Sequence, residues 1–225
     1  MPGFCAKQLM KALIAEFTGT FFLLLIGTGS ILLEQNYPGS IGNFGIAFSF
    51  GFVIFLAIRY LAAYSGAHFN PAVSIGFYLT GKLSGKKLLL YILFQLTGAF
   101  AGTLLLAKTV NEKGSLGATF PSGSHSESIL NEIVLTFILM AVIFIFSSGK
   151  KQLKKYAAAA IGSTVGLCAY FGGEISGASM NPARSMSPGI VSGNFHGMYI
   201  YIIAPITGAI ISGLAWKRFR LFFKD

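Results

Sequence analysis

The stretch Ser65-Gly66-Ala67-His68-Phe69-Asn70-Pro71-Ala72 returns almost unchanged as Ser176-Gly177-Ala178-Ser179-Met180-Asn181-Pro182-Ala183. Asn is a favoured helix N-cap and Pro a favoured first helical residue, so each copy reads as an irregular loop that starts a helix. The apolar runs that follow, Asn70 to Leu79 and Asn181 to Val191, are too short to cross a bilayer. They are predicted to be re-entrant half-helices.

The surroundings of these runs favour a membrane. Apolar residues make up 54% of the 225-residue chain and charged residues 11%, with a mean hydropathy of +0.70. A domain this small cannot hide so much apolar surface from water, so lipid is the expected solvent. Six longer stretches can each span a bilayer, at about 20 residues per crossing. They run from Leu9 to Leu33, Phe44 to Ala63, Lys87 to Ala107, Ser128 to Ser147, Tyr156 to Phe171 and Met198 to Trp216. The basic N-terminus and its apolar run read as the first span, because the run is too long for a signal peptide and no small-residue cleavage site follows.

The net charge of +10 could suggest nucleic acid, but the basic residues lie between apolar spans and form no polar face. Counted by side they report topology. Lys7, Lys11, Arg59, Lys82, Lys86, Lys87, Lys150, Lys151, Lys154, Lys155, Lys217, Arg218, Arg220 and Lys224 fall on one side, against Lys108, Lys113 and Arg184 on the other. The positive-inside rule then places both termini in the cytoplasm. Tyr60, Tyr78, Tyr91, Tyr156, Tyr199 and Trp216 stand near span ends, where interfacial anchoring accounts for most of them. Cys5 and Cys168 lie in unlike settings, so no disulfide is expected.

The echo extends beyond the loops. Glu16 and Glu132 each precede a Thr-Phe pair by three intervening residues, and Thr97-Gly98-Ala99 returns as Thr207-Gly208-Ala209. Three spans per half is an odd number, so the second half enters the membrane inverted. The predicted fold is an all-α membrane protein of six transmembrane helices and two half-helices. It forms one channel domain over residues 1–225, with inverted repeats at about 9–108 and 127–217.

Inversion brings the two half-helices together amino end to amino end, each with roughly +0.5 charge. Each Asn oxygen can accept from its own helix, turning the amide NH₂ to the lumen. Water there finds donors but few acceptors, which interrupts a proton wire and repels cations. The non-helical peptides of Gly66, Ala67, His68, Gly177, Ala178 and Ser179 are tolerable in lipid only along a cavity, where their carbonyls can accept from solute.

The two boxes Ser-Gly-Ala-His-Phe-Asn-Pro-Ala-Val and Gly-Ala-Ser-Met-Asn-Pro-Ala-Arg-Ser resemble the signatures of the aquaporin (major intrinsic protein) family. The resemblance implies a pore in each protomer and a homotetramer. It also implies a narrow filter at Phe50, Ala169, Ala178 and Arg184. Strict water channels have His at the position of Ala169, and glycerol channels usually have Asp at that of Ser185. The second box is most similar to the nodulin-type plant branch and its bacterial relatives, which implies a wide filter passing glycerol and metalloid acids as well as water.

Other residues leave choices open. Glu16 and Glu132, as acids within spans, could relay protons or accept from the re-entrant loops, and the latter is favoured. His68 could sense pH but is expected to be a packed loop residue. Glu174 bonds the second loop or sits at the pore mouth. Cys168 is expected to be a lipid-facing or packed residue rather than a mercury-reactive pore thiol. The glycines of the Thr-Gly-Ala motifs suit close helix packing. A strict water channel and a secondary transporter are the rival functions. Rings of carboxylates expected of an ion channel are lacking. No nucleophile–base pair, metal cluster or cofactor motif suggests an enzyme. The partners expected are the bilayer and neutral solutes in transit, in a multi-pass protein of the plasma membrane.

Overall fold

The computed structural model describes residues 2–109, 114–148 and 152–222. Lys113, Lys150, Lys151 and Lys224 of the topology count lie outside the described residues, as do the side chains of Cys5 and Arg220.

Helix α1 (Pro2–Phe22) passes through a π-helical segment, Leu23–Thr28, into α2 (Gly29–Asn36), so the first span is one bent rod. It is followed by α3 (Gly42–Ser65), the short α4 (Pro71–Leu79) and α5 (Gly85–Thr109). The second half repeats the order with α6 (His125–Ser148), a 3₁₀ turn at Lys154–Tyr156, α7 (Ala157–Ser176), the short α8 (Pro182–Ser192) and α9 (Met198–Phe222). Among the described residues six helical rods are long and apolar enough to cross a membrane, and there is no strand. Helices α4 and α8 have 9 and 11 residues, about 14–17 Å at 1.5 Å per residue.

The fifth span is longer than its sequence suggests. It runs past Phe171 to Ser176, because Gly172 and Gly173 do not break it. Gly172 packs against Leu135, whose terminal methyl would lie 2.5 Å from a Cβ at this position. The helix stops at Gly177, whose φ of +80° is the left-handed C-cap geometry, and α3 stops the same way at Gly66, φ +89°.

The pairing of helices is the same when the halves are exchanged. Helix α1 packs on α5 as α6 packs on α9, α4 touches α9 as α8 touches α5, and α3 pairs with α7 across the centre. Small residues set these approaches. A Cβ on Gly98 would meet the carbonyl oxygen of Phe17 at 2.3 Å, and one on Gly208 would meet that of Ile133 at 2.4 Å. These are the glycines of the repeated Thr-Gly-Ala motif, each facing the residue after the intramembrane Glu. Gly208→Val is therefore expected to force α6 and α9 apart, an overpacking cost of about 1–3 kcal/mol. Thermal unfolding in detergent should show a midpoint lower by roughly 2–4 °C per kcal/mol. Gly213→Ala, whose new Cβ would meet nothing closer than 3.7 Å, should leave the midpoint unchanged.

Burial is distributed as lipid requires. Large apolar side chains such as Phe44, Leu89 and Phe171 are exposed on the outside, while Glu16, Glu132, Gln95, Thr103 and Ser187 are fully buried.

Candidate functional site

Both half-helices begin as the sequence predicts. Asn70 and Asn181 are extended residues whose side-chain oxygens accept from the amides of Ala72 (2.8 Å) and Ala183 (3.0 Å), with Pro71 and Pro182 at the first helical position. The amide NH₂ groups do more than face a lumen. Asn70 Nδ2 donates to the carbonyl of Met180 at 2.7 Å, and Asn181 Nδ2 donates to that of Phe69 at 2.9 Å. Each cap thus holds the residue just before the other cap. This reciprocal lock fixes the two positive helix ends face to face and uses one of the two protons on each amide.

Behind the lock, each loop hangs on a buried carboxylate. Glu16 accepts from the amides of His68 (3.0 Å) and Phe69 (2.7 Å) and from Gln95 Nε2 (2.8 Å). Glu132 accepts from the amides of Ser179 and Met180 and from Ser176 Oγ, all at 2.7 Å. The loops need such acceptors because their backbone cannot satisfy itself. Ala67, Phe69, Ala178 and Met180 all have positive φ, between 44° and 57°. A non-glycine residue held there costs of order 1–3 kcal/mol, and persists where surrounding bonds over-determine it. The symmetry reaches single atoms: His68 Nδ1 bonds Ser74 Oγ at 3.0 Å, and at the same register Ser179 Oγ bonds Ser185 Oγ at 2.5 Å.

Three cavities lie in series along this axis. The central one, about 120 Å³, is lined by both asparagines, by Gly66, Ala67, His68, Ala178 and Ser179, and by an apolar wall that includes Leu23, Ile54, Val73 and Val165. It has room for several waters, at about 10–15 Å³ each. At one end it adjoins a cavity of about 380 Å³ that contains Gly177, Thr119 and Glu174. At the other it adjoins one of about 480 Å³ that contains Lys82, Lys87 and Lys154, sharing Gly66, His68, Phe77 and Ser147 with it. The residues common to the central and Glu174 cavities are Phe50, Ala169, Ala178 and Arg184. Those four positions, scattered over α3, α7, the second loop and α8, meet at one junction.

Arg184 is buried and tethered there. It is 2% exposed, its Nη1 donates to the carbonyl of Gly117 at 2.7 Å, and its guanidinium lies 5.2 Å from the centre of the Phe50 ring. Phe50 in turn sits against Gly27 of the π-helical segment, where a Cβ would come within 2.4 Å of the ring. The loop before α6 thereby enters the site, with Thr119 Oγ1 also bonded to Ser185 Oγ at 2.7 Å. Neither Gly117 nor Thr119 is signalled by any motif. Gln95 is different: a fully buried amide within an apolar span was a signal, and it bridges Glu16 to Ser74.

The remaining candidates find places. His68 is buried and stacked on Phe77 with centroids 4.5 Å apart. Glu174 lines the outer part of the junction's neighbouring cavity and accepts from Asn43 Nδ2 at 2.9 Å rather than from the loop. Cys168 is a buried free thiol within the core cluster.

Comparison with known proteins agrees with this geometry. The chain matches the major intrinsic protein family over residues 4–216. It is 37% identical over 224 residues to a probable NIP-type aquaporin of Nicotiana alata, covering 97% of this chain and 82% of that one. It is 38% identical over 213 residues to nodulin-26 of Glycine max, covering 94% and 78% respectively. The X-ray structure of the aquaglyceroporin from Plasmodium falciparum superposes with a TM-score of 0.80 at 26% identity, covering 93% of this chain and 96% of that one. The chain belongs to the major intrinsic protein family.

Proposed function

We propose that the protein is a passive membrane channel for water and small uncharged solutes, glycerol and metalloid acids among them, that excludes protons and ions and catalyses no reaction. The observation that carries this reading is the sharing of Phe50, Ala169, Ala178 and Arg184 by two cavities in series. Four side chains at one constriction, two of them only methyl groups, make a wide filter. Arg184 offers donors and repels cations, and Phe50 offers an apolar wall. Deeper in, Asn70 and Asn181 with Pro71, Ala72, Pro182 and Ala183 present donors and two positive helix ends. The carbonyls of Gly66, Ala67, His68, Gly177, Ala178 and Ser179 supply acceptors along the way. Glu16 and Glu132 support the loops and carry no protons across. The likeness to an aquaglyceroporin supports glycerol as a solute.

The unit of function is one channel domain, residues 1–225, whose halves at about 9–108 and 127–217 are inverted repeats. The excess of basic residues on one side supports cytoplasmic termini in a plasma membrane. A homotetramer is the expected assembly.

Proteoliposomes shrunk in glycerol or urea should re-swell several-fold faster than empty vesicles, linearly with the solute gradient and without a sodium or proton gradient. Rapid water flux with glycerol and urea excluded would instead identify a strict water channel. Saturable uptake that needs an ion gradient would identify a secondary transporter.

A further inference from the structure

The cavity at the lysine end of the pathway has a chemistry that passage of neutral solutes does not call for. Lys82 comes from the loop after α4, Lys87 from the first turn of α5 and Lys154 from the turn before α7, so three elements separate in sequence each contribute a lysine to the lining of one concavity of about 480 Å³. Ser65, Tyr91 and His68 also line it, and among the described residues no carboxylate does. Lys82 is drawn over the opening by aromatic faces, its Nζ 5.9 Å from the centre of the Phe77 ring and 5.8 Å from that of Phe144. The imbalance is not confined to the cavity. The chain has seven acids, and the positive-inside assignment leaves only Asp225 on this face, outside the described residues. A cleft with one sign of charge and low-dielectric walls focuses its field and concentrates counter-ions.

The topology rule explains why lysines lie on this side, but it is indifferent to where on the face they stand. Here they converge on the mouth of the pathway. Gly66, His68, Phe77 and Ser147 belong to both this cavity and the central one, so an occupant held by the lysines sits in the route of the solute.

We infer that the lysine cavity binds a phosphate monoester, which occludes the channel from that side. A phosphate monoester carries about −1.5 to −2 charge at pH 7 with three acceptor oxygens, and suits several flexible ammonium groups around an open cleft. Neutral polyols lack the charge and pass. The occupant is barred from the pathway itself, because a phosphate carrying its charge would have to shed its water to pass the apolar wall of Leu23, Ile54, Val73 and Val165 in the central cavity. The consequence is feedback: if a polyol that enters is phosphorylated inside, its product closes the entry. This rests on the proposed channel function only for the occlusion, since binding is a property of the cavity alone.

The test is stopped-flow glycerol re-swelling of phosphatidylcholine proteoliposomes, with glycerol 3-phosphate or inorganic phosphate on both faces and ionic strength matched with chloride. The expected result is inhibition that saturates, half-maximal at roughly millimolar concentration. It should be lost in Lys82→Gln/Lys87→Gln/Lys154→Gln, whose glycerol flux without phosphate stays at the wild-type rate because all three side chains are on the surface. A second arm replaces part of the lipid with phosphatidic acid, the same group on a membrane anchor. Slowing in those vesicles alone, abolished by the triple substitution, keeps the site and assigns its phosphate to a lipid headgroup. No inhibition in either arm, or equal inhibition of wild type and variant, overturns the inference. Glycerol flux without phosphate is read in the same experiment, so its absence would count against the channel reading, separately from the site.

Discussion

Ala169→His is expected to reduce glycerol permeability by about tenfold or more while water permeability changes little, as measured by stopped-flow light scattering on proteoliposomes. The effect is large because the junction has little freedom to adapt. Arg184 is fastened to Gly117 and lies against Phe50, and Phe50 is seated against Gly27, so the two large members cannot retreat. The width is left to Ala169 and Ala178. Ala178 has a positive φ of 44°, where a larger side chain adds strain, whereas Ala169 lies within helix α7 and accepts one without a change of backbone. An imidazole there fills space that a three-carbon solute must cross. Squeezing a solute past it resembles overpacking a core, about 1–3 kcal/mol, and each 1.36 kcal/mol is roughly tenfold in rate. Water is small enough to pass, and gains a polar partner. Glycerol flux unchanged by Ala169→His would mean that solute does not cross at this junction.

The second large effect concerns the carboxylates. Glu132→Gln and Glu16→Gln preserve shape but replace one acceptor oxygen with an NH₂ group. In Glu132 both oxygens are engaged, by Ser179 and Met180 amides at 2.7 Å each. In Glu16 they serve His68 at 3.0 Å and Phe69 at 2.7 Å. Whichever way the new amide turns, a backbone N–H faces a donor. One buried N–H without a partner costs about 1–3 kcal/mol. Both carboxylates are fully buried, so no bulk water can substitute. The strained loop residues at positive φ depend on these bonds, and so does the lock between Asn70 and Met180 and between Asn181 and Phe69. Each single substitution should lower the thermal midpoint of the detergent-solubilised protein and reduce water and glycerol flux together. The double substitution should yield little folded protein. Variants that retain wild-type midpoints and fluxes would show that the loops are held by something else.

Much of this was legible in the sequence because the duplication writes each feature twice. Asn-Pro-Ala names the helix starts by local chemistry, and Glu16 with Glu132 stands out because an acid in an apolar span needs a reason. What sequence could not supply is contact between distant elements. Gly117 pins Arg184 from a loop with no motif of its own. The reciprocal lock depends on carbonyls of Met180 and Phe69, and backbone atoms carry no sequence signal. The π-helical segment at Leu23–Thr28 has no proline to announce it, and its purpose emerges only when Gly27 is seen against the Phe50 ring. The fifth span, predicted to end at Phe171, continues to Ser176, with Gly172 packed against Leu135.

Neutral passage and charge exclusion by one pathway can be read on the same vesicles. Proteoliposomes loaded with a pH-sensitive dye and given a valinomycin-imposed potassium diffusion potential report proton entry, and their re-swelling in glycerol reports solute entry. The expected result is glycerol re-swelling several-fold above that of empty vesicles, with a dye signal indistinguishable from theirs. Proton entry that rises with the amount of protein, or glycerol re-swelling no faster than in empty vesicles, would contradict a route in which paired helix ends and Arg184 admit only uncharged molecules.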